Sequence, residues 1–124
     1  MERKGLYDLE IFKNALKLSE ISWLIYQNLP KHLKYCIGNQ YLSAIDSVGA
    51  NIAEGYGRYH YKDSLRFYYN SRGSLWESRF WLDLLNQRQL VKQDQYEEVA
   101  ELLRIQAIKL NNFINSIKLI DNNK

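Results

Sequence analysis

Between Asn51 and Ser64 the chain reads NIAEGYGRYHYKDS, a stretch whose residue types could serve three different chemistries. Two glycines beside an arginine suit a phosphate loop, His60 with Asp63 suits a metal, and Glu54 near His60 suits acid–base work. Each fails on spacing. GYGRYH gives G-x-G-x-x-H without a third glycine, and no strand-like segment precedes it, as a dinucleotide-binding turn requires. His60 and Asp63 share a turn, but His32, the other histidine, has no evident carboxylate partner and no paired-ligand motif occurs. Catalysis needs a nucleophile, or an acid and a base, held in a cleft. Glu54 is expected instead in an ion pair with Arg66 or Arg58, Asp63 as a first-turn acid facing the positive helix end, and Glu77 far from the bend, within reach of Arg58 only across a subunit interface. The sequence therefore predicts neither an enzyme nor a metal or cofactor site. Gly55 and Gly57 are expected to take left-handed conformations that end one helix and turn the chain.

The elements around that bend follow from apolar periodicity, which is helical almost throughout and alternates convincingly nowhere. A first helix runs from about Asp8 to Asn28. Its stripes are Leu9, Phe12, Leu16, Ser19, Trp23 and Tyr26, and beside them Ile11, Ala15, Leu18, Ser22, Ile25 and Leu29. Pro30 ends it by removing a donor and clashing with a further turn, and Lys31 to Gly38 is the first connection. The second helix, about Asn39 to Tyr56, has an apolar face of Tyr41, Ile45, Val48 and Ile52. Gln40, Ser47, Asn51, Glu54 and Arg58 share a polar face, while Gly49, Ala50 and Ala53 would admit a close neighbour. The third, about Tyr61 to Gln89, has Leu65, Tyr69, Trp76, Phe80 and Leu84 as its main stripe, with Phe67, Tyr68 and Trp81 to the sides. The fourth, about Asp94 to Ile120, carries Val99, Leu103, Leu110, Phe113, Ile117 and Ile120, flanked by Leu102, Ile105 and Ile108, and the tail DNNK reads as a frayed end. Four such helices with short links predict an all-α, antiparallel up-down-up-down four-helix bundle, one domain over residues 1–124. If the second and third helices fold back near His60, Glu54 meets Arg66, Asn51 meets Asn70, and Ser47 meets Gly73 and Ser74. A ladder of hydrogen bonds would then join the pair, since an unpaired buried polar group costs about 1–3 kcal/mol.

Composition bounds what such a bundle can be. The chain has 124 residues, 46% of them hydrophobic, with one proline and one cysteine. That is enough for one core but short for two. No run long and apolar enough to cross a membrane occurs, and MERKGLYDLE lacks a signal-peptide core. With Cys36 unable to form an internal disulfide, the expected compartment is the reducing cytoplasm. The net charge is +3 and unevenly spread. Arg58, Lys62, Arg66, Arg72, Arg79, Arg88 and Lys92 outnumber Asp63, Glu77 and Asp83, whereas Asp94, Glu97, Glu98 and Glu101 follow against Arg104 alone. Two explanations stay open: solvated faces that pair within the bundle or between subunits, or a surface for an anionic partner such as nucleic acid.

The run SVGANIAEGYGR, followed by RFYY and RGSLWES, resembles the bacterial four-helix-bundle proteins encoded in intervening sequences of large-subunit ribosomal RNA genes. NIAEG followed by GR, with GSL-x-E further on, carries the resemblance. The family pattern falls on Gln40, Ser47, Asn51, Ile52, Ala53, Glu54, Gly55, Gly57, Arg58, Gly73, Ser74 and Glu77. His60 departs from it, standing where relatives are expected to have a short hydroxyl residue capping the third helix. The resemblance implies an antiparallel bundle assembled into a ring-like homopentamer with no enzymatic activity. A related branch, the accessory variability determinant proteins of diversity-generating retroelements, forms basic pentameric barrels that bind nucleic acid and a reverse transcriptase, which makes both expected partners of the wider group. The second apolar stripes of the first and fourth helices fit subunit packing or, equally, a wider core. Trp23, Trp76 and Trp81 belong to core or interface.

Two function classes follow. In one, an oligomeric scaffold presents Arg58, Lys62, Arg66, Arg72 and Arg79, with Tyr59 and Tyr61 for stacking, to RNA or DNA. In the other the same charges close subunit interfaces, and the protein is an interaction module for another protein.

Overall fold

A computed structural model describes residues 5–122, in which four long helices, α1 (Glu10–Gln27), α2 (Asn39–Tyr56), α3 (Tyr61–Gln87) and α4 (Gln93–Asn122), carry the chain, with no strand among the described residues. Each packs on its neighbour in sequence, and α1 also packs on α4, so the four stand in cyclic order around one core; α2 against α3 is the most extensive pairing. Short connections make neighbours antiparallel, which gives the expected four-helix bundle. The tail is helical through Asn122 rather than frayed from Asp121, and Asn123 and Lys124 lie outside the described residues.

The connection between α1 and α2 departs from expectation. Pro30 does end α1, with the backbone extended at that residue, but a helical turn (Lys31–Leu33) and a π-helical stretch (Lys34–Gly38) then run directly into α2. The wider π turn re-phases the helix so that Ile37 enters the core. Gly38 there faces Leu29 and Tyr26, where a Cβ would stand 3.0 Å and 3.2 Å from their side chains.

Of the two stripes on α1, the one through Ile11, Ala15, Leu18, Ser22 and Ile25 is buried together with Phe12, while Leu16 and Trp23 are about half exposed. The core choice on α2 is as expected: Tyr41, Ile45, Val48 and Ile52 are fully buried. Tyr41 crosses to α1, its hydroxyl 2.7 Å from Ser22 Oγ. Burial drives that phenol far above its ordinary range, partly offset by the serine bond, so it stays neutral. Gly49 sets the α1–α2 distance, because a Cβ there would lie 3.2 Å from that of Ala15.

Of the stripe expected on α3, Leu65 is buried and Tyr69 and Leu84 are half buried against the core, but Trp76 and Phe80 are not. Ser64, Leu65, Tyr68, Ser71, Leu75, Ser78, Leu82 and Leu85 face the core, whereas Trp76 is 73% exposed and Phe80 54%. Size misled the expectation. The close approach of α2 selects serine at every seventh residue, and their hydroxyls are satisfied locally or across the seam: Ser64 donates to His60 O (3.2 Å), Ser71 to Val48 O (2.8 Å) and Ser78 to Ser74 O (2.7 Å). The hydrogen-bond ladder is corrected in the same way. Ser47 donates to Ser43 O and Asn51 to Ser47 O within α2, so these side chains satisfy themselves on their own helix instead of bridging to Ser74 and Asn70. What joins the two helices is the Ser71 bond to Val48 O and close steric fit: a Cβ on Gly55 would stand 2.6 Å from Tyr68 Cε1.

On α4, Val99, Leu103, Leu110 and Ile114 enter the core, with Gln106 among them at 0% exposure; Phe113 and Ile117 are half buried and Ile120 is exposed. Gln106 Nε2 donates to Ile11 O at 2.6 Å, while its Oε1 and the buried Asn14 Nδ2 have no partner among the described residues.

Candidate nucleic-acid interface

The α2–α3 turn is built without left-handed glycine. No described glycine has positive φ; Gly57 ends α2 at φ −76°, and the chain reverses because His60 is extended at φ −97°, ψ 136°. The expected role of Gly55 and Gly57 is thereby corrected. Gly55 lies inside α2 to admit the Tyr68 ring, and a Cβ on Gly57 would meet only the helix's own carbonyls at ordinary contact distance. The positive-φ residue is Gln89, at 59°, in the α3–α4 turn, where Leu90 N donates to Leu85 O at 2.8 Å. His60 caps α3 without a side-chain hydrogen bond, and Asp63 is the first-turn acid, as expected.

Asp63 also orders the cations at this end. Arg58 lies 3.6 Å from Glu54 and 3.8 Å from Asp63, and Arg66 lies 3.2 Å from Asp63. Both guanidinium carbons stand 4.5 Å from the centroid of Phe67, a cation–π arrangement that fixes the two arginines side by side. Glu54 is thus tied to Arg58 and not to Arg66. Asp121, from the end of α4, lines the same surface depression as Lys62 and Arg66. The turn is therefore close to balanced in charge. Lys62 makes no ion pair among the described residues and is exposed, as is Tyr59, at 92%. Arg58 keeps one unmet need: its Nε is buried with no acceptor among the described residues. A pocket of about 250 Å³ opens beside it, lined by Tyr56, Tyr59, Tyr61 and Tyr68, with Phe113 from α4.

Arg72 and Arg79 belong to a different place, the groove between α3 and α4. Trp76, Leu103, Ala107 and Ile108 floor a cavity of about 280 Å³ there, with Arg72, Arg79 and Arg104 around it. Arg79 is committed: its Nε lies 3.0 Å from Asp83 Oδ1, and Tyr96 donates to the same oxygen at 2.8 Å. Burial pulls the Arg79 pKa down, but Asp83 and Tyr96 more than offset it and the net shift is upward; Tyr96 is raised chiefly by its bond to Asp83. Arg104 is held by Glu101 at 2.9 Å. Among the described residues Arg72 has no acidic partner; it reaches Asn111 Oδ1 at 3.3 Å and shares the Tyr69 ring with Lys118, which is also without an ion pair there, leaving two unneutralised cations on this face. Glu77 accepts from Trp81 Nε1 at 3.0 Å. Gln40 is exposed near Trp81 and Arg88, far from the α2–α3 turn. Gly73 points into open space. The sequence signal that was missed is Trp76: a large aromatic on α3 left uncovered.

Among the described residues there is no group of histidine, cysteine or carboxylate side chains that could hold a metal, and no helix long and apolar enough to cross a membrane. What the surface offers is aromatic stacking, cation contacts and apolar docking.

Comparison with solved structures gives a protein with unknown function from the S23 ribosomal protein family from Bacteroides thetaiotaomicron VPI-5482. It aligns with a TM-score of 0.76 and 20% identity over 84% of this chain and 97% of that one. At that identity the likeness establishes the fold. No curated protein matches the chain. The family model described as 23S rRNA-intervening sequence protein matches residues 7–112, the span from the turn before α1 well into α4, and the chain belongs to that family.

Proposed function

We propose that this protein is a non-catalytic homo-oligomeric scaffold that binds nucleic acid, with its outer faces closing the ring and its α2–α3 turns presented to the ligand. The observation that carries the assembly is a pair of complementary faces on opposite sides of the bundle. Because the helices stand in cyclic order, the α1/α2 face and the α3/α4 face are opposite. Trp23 stacks on Tyr26 at 5.5 Å, and Tyr26 donates to Asn39 at the start of α2, so Trp23 and the half-exposed Leu16 lie toward the α1/α2 side. Glu20, between them in sequence, and Asp46, one turn before Gly49, are exposed and make no ion pair among the described residues. The α3/α4 face offers Trp76, Ile108 and the unneutralised Arg72. A twofold dimer would match one face to itself and leave the other uncovered. Joining unlike faces covers both, and gives a ring when the rotation from one subunit to the next closes; a ring of five is what the family resemblance implies.

Nucleic acid is the ligand this assembly suits. Each turn presents Tyr59 and Lys62 beside a tyrosine-lined pocket, and a ring repeats that motif, so weak single contacts gain from multivalency.

The test compares two charge reversals by light scattering and by titration of labelled RNA. Arg72→Glu should break the assembly to smaller species; Lys62→Glu should leave its mass unchanged and weaken RNA binding without regard to sequence. An assembly indifferent to Arg72→Glu would refute the interface. An intact oligomer that binds no RNA at low salt would make this an interaction module for another protein.

A further inference from the structure

We propose that the pocket beside Arg58 receives a single unstacked base, so that the ligand is single-stranded. The inference rests on the nucleic-acid reading above and narrows it. Aromatic rings from Tyr56, Tyr61 and Phe113 line the pocket together with the aliphatic Leu9 and Ile117, and the exposed Tyr59 stands beside them. At about 250 Å³ the cavity falls just under the roughly 300–1,000 Å³ that encloses a whole small ligand, a size suited to one planar ring system.

The second observation is the Arg58 Nε, a donor without an acceptor among the described residues; it has almost no accessible surface as the chain stands, so a base reaches it with a small shift of the guanidinium. Buried polar groups are nearly always satisfied, and the side chain, 38% exposed, keeps room for such a shift while staying in place: Glu54 and Asp63 stand 3.6 Å and 3.8 Å from its terminal nitrogens and Phe67 underlies the guanidinium. A base brings ring-nitrogen and carbonyl acceptors along its edge, which an Arg N–H recognises directly. Stacking on tyrosine tolerates any base, so the pocket would prefer exposed bases over particular sequences. A duplex keeps its bases paired and stacked and cannot fill the pocket; it is left with phosphate contacts at Lys62 and Arg66 of the neighbouring depression, which shares Tyr61 with the pocket.

The experiment uses the assembled full chain and an unstructured oligoribonucleotide carrying one 2-aminopurine, compared with the same strand annealed to its complement. The expected result is quenching of the 2-aminopurine, tighter binding of the single strand than of the duplex, and a loss of about 5- to 150-fold in single-strand affinity for Tyr59→Ala, the range of one base stack, with duplex binding unmoved. Arg58→Lys, which keeps the charge but removes Nε, should diminish the quenching. Because Tyr59 is almost fully exposed, Tyr59→Ala does not endanger the fold. Equal affinity for single strand and duplex, with Tyr59→Ala without effect, would overturn the pocket while leaving nucleic-acid binding standing; failure of both ligands to bind at low salt would overturn both.

Discussion

Gly55→Ala is the perturbation whose outcome the packing of α2 on α3 dictates. The new methyl would stand 2.6 Å from Tyr68 Cε1 and 3.0 Å from its Cδ1 and Cζ, roughly 1 Å inside ordinary contact. The ring cannot slide away freely. Tyr68 is 3% exposed and meets Phe113 edge-on at 5.1 Å, so a shift there is passed to α4. Overpacking of this kind costs about 1–3 kcal/mol, against a gain of about 1 kcal/mol for replacing glycine by alanine within a helix. The net expectation is a loss of up to about 2 kcal/mol, a fall in Tm of several degrees for a domain of this size. Gly73→Ala is the control, since nothing lies within 4 Å of its Cβ position; it should collect the helical gain of about 1 kcal/mol and raise Tm. Both are read by thermal unfolding at one fixed subunit concentration, because assembly makes Tm depend on it. If Gly55→Ala stabilised the protein as much as Gly73→Ala, the close α2–α3 seam would be wrong.

Two further substitutions test other parts of the fold. Gln106→Met removes the buried Oε1 that has no partner, a relief of about 1–3 kcal/mol, and forfeits one bond to Ile11 O worth about 1 kcal/mol; chemical denaturation should show a midpoint unchanged or raised, and a large fall would mean the amide is satisfied. Gln89→Gly relieves a left-handed backbone that costs a side-chain-bearing residue about 1–2 kcal/mol, so Tm should rise by a few degrees, and a fall would contradict the turn geometry.

How far the sequence could be read depended on which physical effect spoke loudest. Where large apolar residues face the core, as on α2, the helix limits Asn39 and Tyr56 and the buried Tyr41, Ile45, Val48 and Ile52 were legible from periodicity. On α3 the same reasoning failed because the core is made partly of serines. Ser64, Ser71 and Ser78 are buried where α2 comes close, and the larger Trp76 and Phe80 are left outside. Polar residues at helical spacing on α2 suggested partners across the seam, yet Ser47 and Asn51 find acceptors one turn back on their own helix, an alternative that spacing alone does not rank. Gly55 followed by Gly57 looked like turn chemistry; one of them is a packing device, and the left-handed position fell to Gln89, which carries no such signal. Of the candidate site, Arg58, Tyr59, Lys62 and Arg66 do gather at one end of the bundle, whereas Arg72 and Arg79 line a groove with α4. The carboxylates that balance the turn, Asp63 above all, were visible in sequence as charges but not as shared partners of two arginines.

The most direct measurement is the affinity of the intact assembly for an unstructured, labelled RNA across a series of salt concentrations. Binding at low ionic strength, with log K falling linearly against log salt at about 0.7 per phosphate contact and a shallower slope for Lys62→Glu, is what the scaffold described here predicts. No binding at low salt, or an affinity that salt does not move, would contradict it.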